Sequence, residues 1–147
     1  RYLVHGPAHC VECHSTDDRE HPELVGTVPL QGGLAFAMGP LGTRYARNLT
    51  PDMETGIGKQ TDAELARVLR SGVMADGELS FFMMLAAPNL ADEDIVAVIS
   101  YLRSLEPVKH EVPRGEWYLF GKILLTYAFP KMSPRDIKPE PYVAPAE

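Results

Sequence analysis

The chain holds 147 residues, 45% of them hydrophobic, enough to bury a single core. Its 13 prolines and 12 glycines call for long, punctuated loops between a few regular elements. A net charge of −6 argues against a sequence-independent grip on nucleic acid. The charge is uneven. Residues 1–106 carry 8 basic and 15 acidic groups, and residues 107–147 carry 6 and 5, so an acidic body bears a slightly basic tail.

In chain order, an apolar stretch, Tyr2-Leu3-Val4, leads into "HCVECHS" at residues 9–15, and we expect a helix fragment running into a turn. Residues 16–60 show no sustained period and are broken by Pro22, Pro29, Gly32, Gly33, Gly39, Pro40 and others. A loop of that length inside a compact domain has something to wrap, and a cofactor supplies the apolar surface the loop lacks. Residues 61–71 predict a helix, with Thr61 and Glu64 spaced as a capping box and Gly72 as the stop. Residues 91–105 predict a second. Asp92, Glu93 and Asp94 load its first turn, and Ile95, Val98, Ile99, Leu102 and Leu105 form its apolar stripe. Pro107 ends it. The run "GEWYLFGKILLTYAF", residues 115–129, is apolar nearly all round, and a proline-punctuated extended end follows. No apolar run reaches the roughly 18–20 residues that span a bilayer, and no signal peptide is visible.

The chain has two cysteines, and they stand in Cys10-Val11-Glu12-Cys13-His14. This spacing fits covalent attachment of a c-type haem. Two intervening residues let both sulfurs reach one porphyrin edge, and the adjacent imidazole can then bind the iron. The rivals are weaker. A redox-active pair of the thioredoxin kind needs a preceding strand. A structural zinc needs four ligands, although His5, His9 and His21 can in principle contribute. A disulfide across two residues closes too small a loop to stabilise much. One motif means one haem. A methionine sulfur would suit the second axial position, and six methionines compete for it, of which Met83 and Met84, in "GELSFFMMLAAPNL", stand in an apolar loop between the two helices and are the strongest candidates. The others can equally be core filler.

These residues resemble the monohaem c-type cytochromes with histidine–methionine ligation, especially bacterial cytochrome c domains of respiratory chains and periplasmic dehydrogenases. The likeness covers about residues 1–113 and is carried by "RYLVHGPAHCVECH", "NLTPDMETGIG", "TDAELARVLRSGV", "DGEL" and "NLADEDIVAVISYLRSLEPV". It implies an all-α, cytochrome c-like fold with few helices and long haem-wrapping loops. Residues 1–113 would form the haem domain, and residues 114–147 an apolar helix and proline-rich extension. It implies His14 as the proximal iron ligand and Met84 as the distal one. Leu85 stands where relatives carry proline, which keeps Met83 as the alternative. Pro29 resembles the proline whose carbonyl receives the outer N–H of the proximal histidine. Asn48 and Thr50 match positions near the haem propionates, with Arg44, Tyr45 and Arg47 just before them. Gln60 stands where relatives often have a propionate-binding tryptophan.

The functional expectation is single-electron transfer through one covalently bound haem c in a bacterial respiratory or periplasmic chain. The protein would be a subunit of a membrane complex, or docked to one, with a quinol-oxidising complex, dehydrogenase or terminal oxidase as partner. The location would be periplasmic and membrane-associated. Residues 115–129 would either pack on the haem domain as an extra helix or dock, to a partner complex or to the membrane surface. The competing class is a haem enzyme or gas sensor with an open distal site, for which "LSFFMMLAAP" offers no ionisable group.

Overall fold

The computed structural model describes residues 1–15, 29–77, 80 and 90–128. The helices among them are α1 (Tyr2–His5), α2 (Cys10–His14), α3 (Asp62–Ser71), α4 (Asp92–Arg103) and α5 (Leu119–Ala128). The described residues also hold three strands, β1 (Ala35–Ala37), β2 (Gly42–Tyr45) and β3 (Glu116–Trp117). They form one antiparallel sheet in the order β1-β2-β3, with Phe36 opposite Arg44 and Thr43 opposite Glu116. The expectation of an all-α fold is therefore corrected. Strands of two to four residues are too short to display an alternating pattern. β3 also pairs with β2 across more than seventy residues, so no local signal announces it.

The sheet gives structure to the loop expected over residues 16–60. A 3-10 helix, Gly39–Leu41, turns β1 into β2, and the backbone of 30–33 runs beside 46–49. Gly33 N–H donates to the Ala46 carbonyl, and Leu49 N–H to the Leu30 carbonyl. Gly32 is required between these strips. It holds φ 72°, in the left-handed region, and a Cβ there would overlap the backbone of Ala46 and Arg47.

Helix α3 begins as its sequence dictates. Thr61 accepts from Glu64 N–H, Glu64 accepts from Thr61 N–H, and Gly72 closes the helix in the left-handed conformation. Helix α4 buries Ile95, Val98, Ile99 and Leu102 on one face. That face joins Val4, Val11, Leu30, Ile57 and Leu65 in the core. Helix α1 packs against α4, where His5 Nε2 lies 3.0 Å from the Tyr101 hydroxyl. Arg103 clasps the end of α4 to the loop before α3, donating to the carbonyls of Ile57 and Gln60 and to Asp62. Arg70 ties α3 to Leu90 and Asp92 at the start of α4.

A polar clasp fixes the loop that carries "NLTPD". Asp52 Oδ1 accepts from the backbone of Glu54 and Thr55 and from the Thr55 hydroxyl. Thr55 Oγ1 in turn accepts from His110 N–H. The segment after α4 is thereby held against residues 48–55.

Candidate haem-binding site

Helix α2 sorts the motif by face. Positions i, i+3 and i+4 share one side of a helix, so Cys10, Cys13 and His14 fall together. All three line one cavity, of about 390 Å³. His9 and Glu12 fall on another side, where they are exposed and pair with each other at 2.6 Å. No disulfide joins the two cysteines. Burial pushes the Cys10 thiol up to about 11.

His14 is 4% exposed, and its Nδ1 lies 2.7 Å from the carbonyl oxygen of Arg47. A carbonyl can only accept, so Nδ1 carries the proton and Nε2 of the neutral ring carries a lone pair. Burial holds the imidazole pKa below its ordinary value, against the opposing effect of the Arg47 bond. Two buried side-chain atoms find no hydrogen-bond partner among the described residues: His14 Nε2 and Ser80 Oγ. Both residues line the cavity. An unpaired buried polar atom is costly unless a ligand satisfies it.

The rest of the wall is mostly apolar. Phe36 comes from β1, Ile57 and Leu49 from the loop, Leu65, Val68 and Leu69 from α3, and Val98 and Leu102 from α4. Such a lining excludes water from a large flat apolar ligand while a few polar groups orient it. The donor set fits a haem: two thiols on one helix face, a lone-pair nitrogen in a dry cavity, and cationic Arg44 and Arg47 at the wall.

The expected site residues divide as follows. Cys10, Cys13, His14, Arg47, Asn48 and Gln60 are brought to the cavity. Pro29 does not receive the His14 proton. Its carbonyl accepts from Gln31 N–H, and the chain crossing that faces His14 is Arg47. Thr50 is corrected as well. It is fully buried away from the cavity lining, accepts from Val108 N–H and approaches Asn48 Oδ1 at 2.8 Å. Asn48 lines the cavity, but both its amide protons are engaged, by Thr55 Oγ1 and the Val108 carbonyl. It therefore has none left for a carboxylate. Met83 and Met84 lie outside the described residues. Met53 is exposed, whereas Met74 lines the cavity.

Sequence reasoning missed the Arg47 carbonyl, Ser80 and the cavity role of Met74. A backbone acceptor has no side-chain signature. Arg44 is also more than a loop charge. It is 7% exposed, donates to the Gly115 carbonyl at 3.1 Å and lies 5.7 Å from the Trp117 ring centre.

This constellation of a cysteine pair, a buried lone-pair histidine and an apolar cavity closed by α3 and α4 defines a haem-attachment domain. The chain belongs to the cytochrome c family, whose model matches residues 5–106. Membership implies haem c. The chain is 36% identical over 109 residues to a nicotinate dehydrogenase subunit of Pseudomonas putida, covering 73% of this chain and 8% of that protein. It is 35% identical over 103 residues to the gluconate 2-dehydrogenase cytochrome c subunit of Pantoea cypripedii, covering 67% of this chain and 21% of that one. It is 31% identical over 139 residues to the fructose dehydrogenase cytochrome subunit of Gluconobacter japonicus, covering 92% and 27%. The chain thus spans well under a third of each of these relatives.

Proposed function

We propose that this chain is a single-electron carrier with one covalently bound haem c, working in a bacterial periplasmic or respiratory chain as the cytochrome component of a dehydrogenase assembly. The observation that carries the reading is the unpartnered His14 Nε2, buried in an apolar cavity that also exposes Cys10 and Cys13. The relatives' names, cytochrome subunits of gluconate and fructose dehydrogenases, support the assembly. Attachment of haem c takes place outside the bacterial cytoplasm, which supports a periplasmic, membrane-associated location.

Cys10 and Cys13 would hold the haem by thioether bonds, and His14 would bind its iron through Nε2. The Arg47 carbonyl keeps the ring in the required tautomer and orientation. Met84, or Met83 as the alternative, would be the second residue to hold the iron. Arg47 and Arg44 would neutralise the propionates, and the Gln60 amide would add a donor at the wall. When bound, the group supplies a reversible one-electron couple. The chain's own part is to keep water out, fix the axial nitrogen and set the potential.

Held by both His14 and a methionine, the iron would be closed to substrate. The test is exposure of the reduced protein to carbon monoxide. An unchanged spectrum supports the carrier, and rapid formation of a carbonyl adduct would establish the enzyme or gas-sensor reading instead.

A further inference from the structure

The apolar side of α5 faces away from the domain. Among its described side chains, Leu119 is 75% exposed, Phe120 56%, Ile123 49% and Tyr127 81%. At helical spacing these four positions fall within about 100° of the circumference, so they form one stripe. The side turned inward is different. Gly121 is buried, and a Cβ there would drive into the Leu41 carbonyl oxygen of the 3-10 helix. Tyr118 N–H donates to that same carbonyl at 3.0 Å. The base of the helix is tied down further by β3 pairing with β2 and by Arg44 on Gly115 and Trp117. The domain thus holds the helix by its smallest residue and presents its largest ones outward.

Charge identifies what covers the stripe. Residues 117–135 contain no Asp or Glu and carry Lys122, Lys131 and Arg135. The other positions hold 11 basic and 20 acidic residues. An acidic domain therefore bears, around α5, an acid-free, cationic segment that carries the exposed apolar stripe. Trp117, Tyr118 and Tyr127 add aromatic rings with polar tips, which favour a water–hydrocarbon boundary. Among the described residues no helix is long and apolar enough to cross a membrane.

We propose that α5 is an interfacial anchor that lies in the surface of an anionic lipid bilayer, with Leu119, Phe120, Ile123 and Tyr127 inserted and Lys122 at the headgroups. The combination of an apolar stripe, flanking cations and interfacial aromatics is what such a surface binds, and the stripe is too short to span it. Anchoring would hold the haem domain at the membrane face while its β1–β2 hairpin stays attached to the anchor.

The test uses the full haem-loaded chain and sedimentation with vesicles of phosphatidylcholine alone or with roughly 30% phosphatidylglycerol. The expected result is binding to the anionic vesicles that is at least about tenfold stronger than to the neutral ones and weakens with salt. The double variant Phe120→Glu/Ile123→Glu, at positions already exposed, is expected to keep its haem spectrum and lose about tenfold or more of that binding. Lys122→Glu should lose part of it. Absence of binding to anionic vesicles, or equal binding by the double variant, would overturn the proposal. So would a concentration-dependent dimer that the double variant abolishes without any vesicle binding, since the stripe would then cover a second copy.

Discussion

His14 Nδ1 lies 2.7 Å from the carbonyl oxygen of Arg47, 33 residues further along the chain. This one bond decides which ring nitrogen carries the proton and points the other, unpartnered, into the cavity. It also makes the electronic character of the candidate ligand depend on how residues 46–47 are held. Gly33 N–H holds the Ala46 carbonyl, and Gly32 packs directly against the backbone of Ala46 and Arg47 while its own N–H donates to the His14 carbonyl at 2.8 Å.

Gly32→Ala should therefore disturb more than stability. A Cβ at φ 72° is strained and meets the Ala46 and Arg47 backbone. The expected cost is about 1–3 kcal/mol in thermal unfolding. The displaced Arg47 carbonyl should also shift the reduction potential. A destabilised variant with an unaltered potential would show that the carbonyl does not tune the site.

Ser80→Ala tests the second unpartnered atom. An O–H donor facing the cofactor favours the more electron-rich reduced form, so its removal should lower the potential, on the order of tens of millivolts. Folding should be barely affected, because Ser80 Oγ makes no hydrogen bond among the described residues. Redox titration distinguishes this from a hydroxyl that merely fills space, which would leave the potential in place.

Much of the fold was legible because local chemistry dictated it. The α3 capping box, the Gly72 stop and the α4 stripe are each built from residues close together in the chain, and the sequence carries each in full. The cysteine–histidine motif was legible for the same reason, since Cys10, Cys13 and His14 share a face by spacing alone. The sheet was not. β3 meets β2 across more than seventy residues, and two- to four-residue strands have no period to read. Pro29 and Thr50 failed on a related point. Their roles rest on a resemblance, whereas the Pro29 carbonyl is taken by the Gln31 N–H two residues on and the Thr50 hydroxyl by the distant Val108 backbone. Leu65, Val68 and Leu69 read as one apolar face of a core helix, but that face also walls the cavity.

A loop carboxylate, Asp52, contributes to the acid response. Hydrogen bonds from the Thr55 backbone and hydroxyl hold the Asp52 carboxyl below its ordinary value of 3.8. The folded state therefore binds fewer protons than the unfolded state between those two values. The stabilisation is present above pH 3.8 and is lost as pH falls through the folded value. Asp52→Asn keeps an acceptor but removes the charge. It should lower the melting temperature at neutral pH and flatten its fall in acid. An equally steep acid profile in the variant would assign the effect to another group.

The distal ligand separates three methionines by one spectrum each. Met84→Leu should abolish the ferric methionine–iron charge-transfer band, while Met83→Leu and Met74→Leu retain it. Loss of the band in Met74→Leu alone would move the ligand to the methionine that lines the cavity among the described residues.

The central claim is that Cys10 and Cys13 hold one haem covalently over His14. The most direct measurement is the denaturing mass spectrum of the chain produced with haem-attachment machinery, beside Cys10→Ser/Cys13→Ser. The account predicts a mass increase of one haem that survives acid–organic extraction in the wild type and is absent from the double variant. A wild-type chain without covalent haem, or a double variant that retains it, would contradict the account.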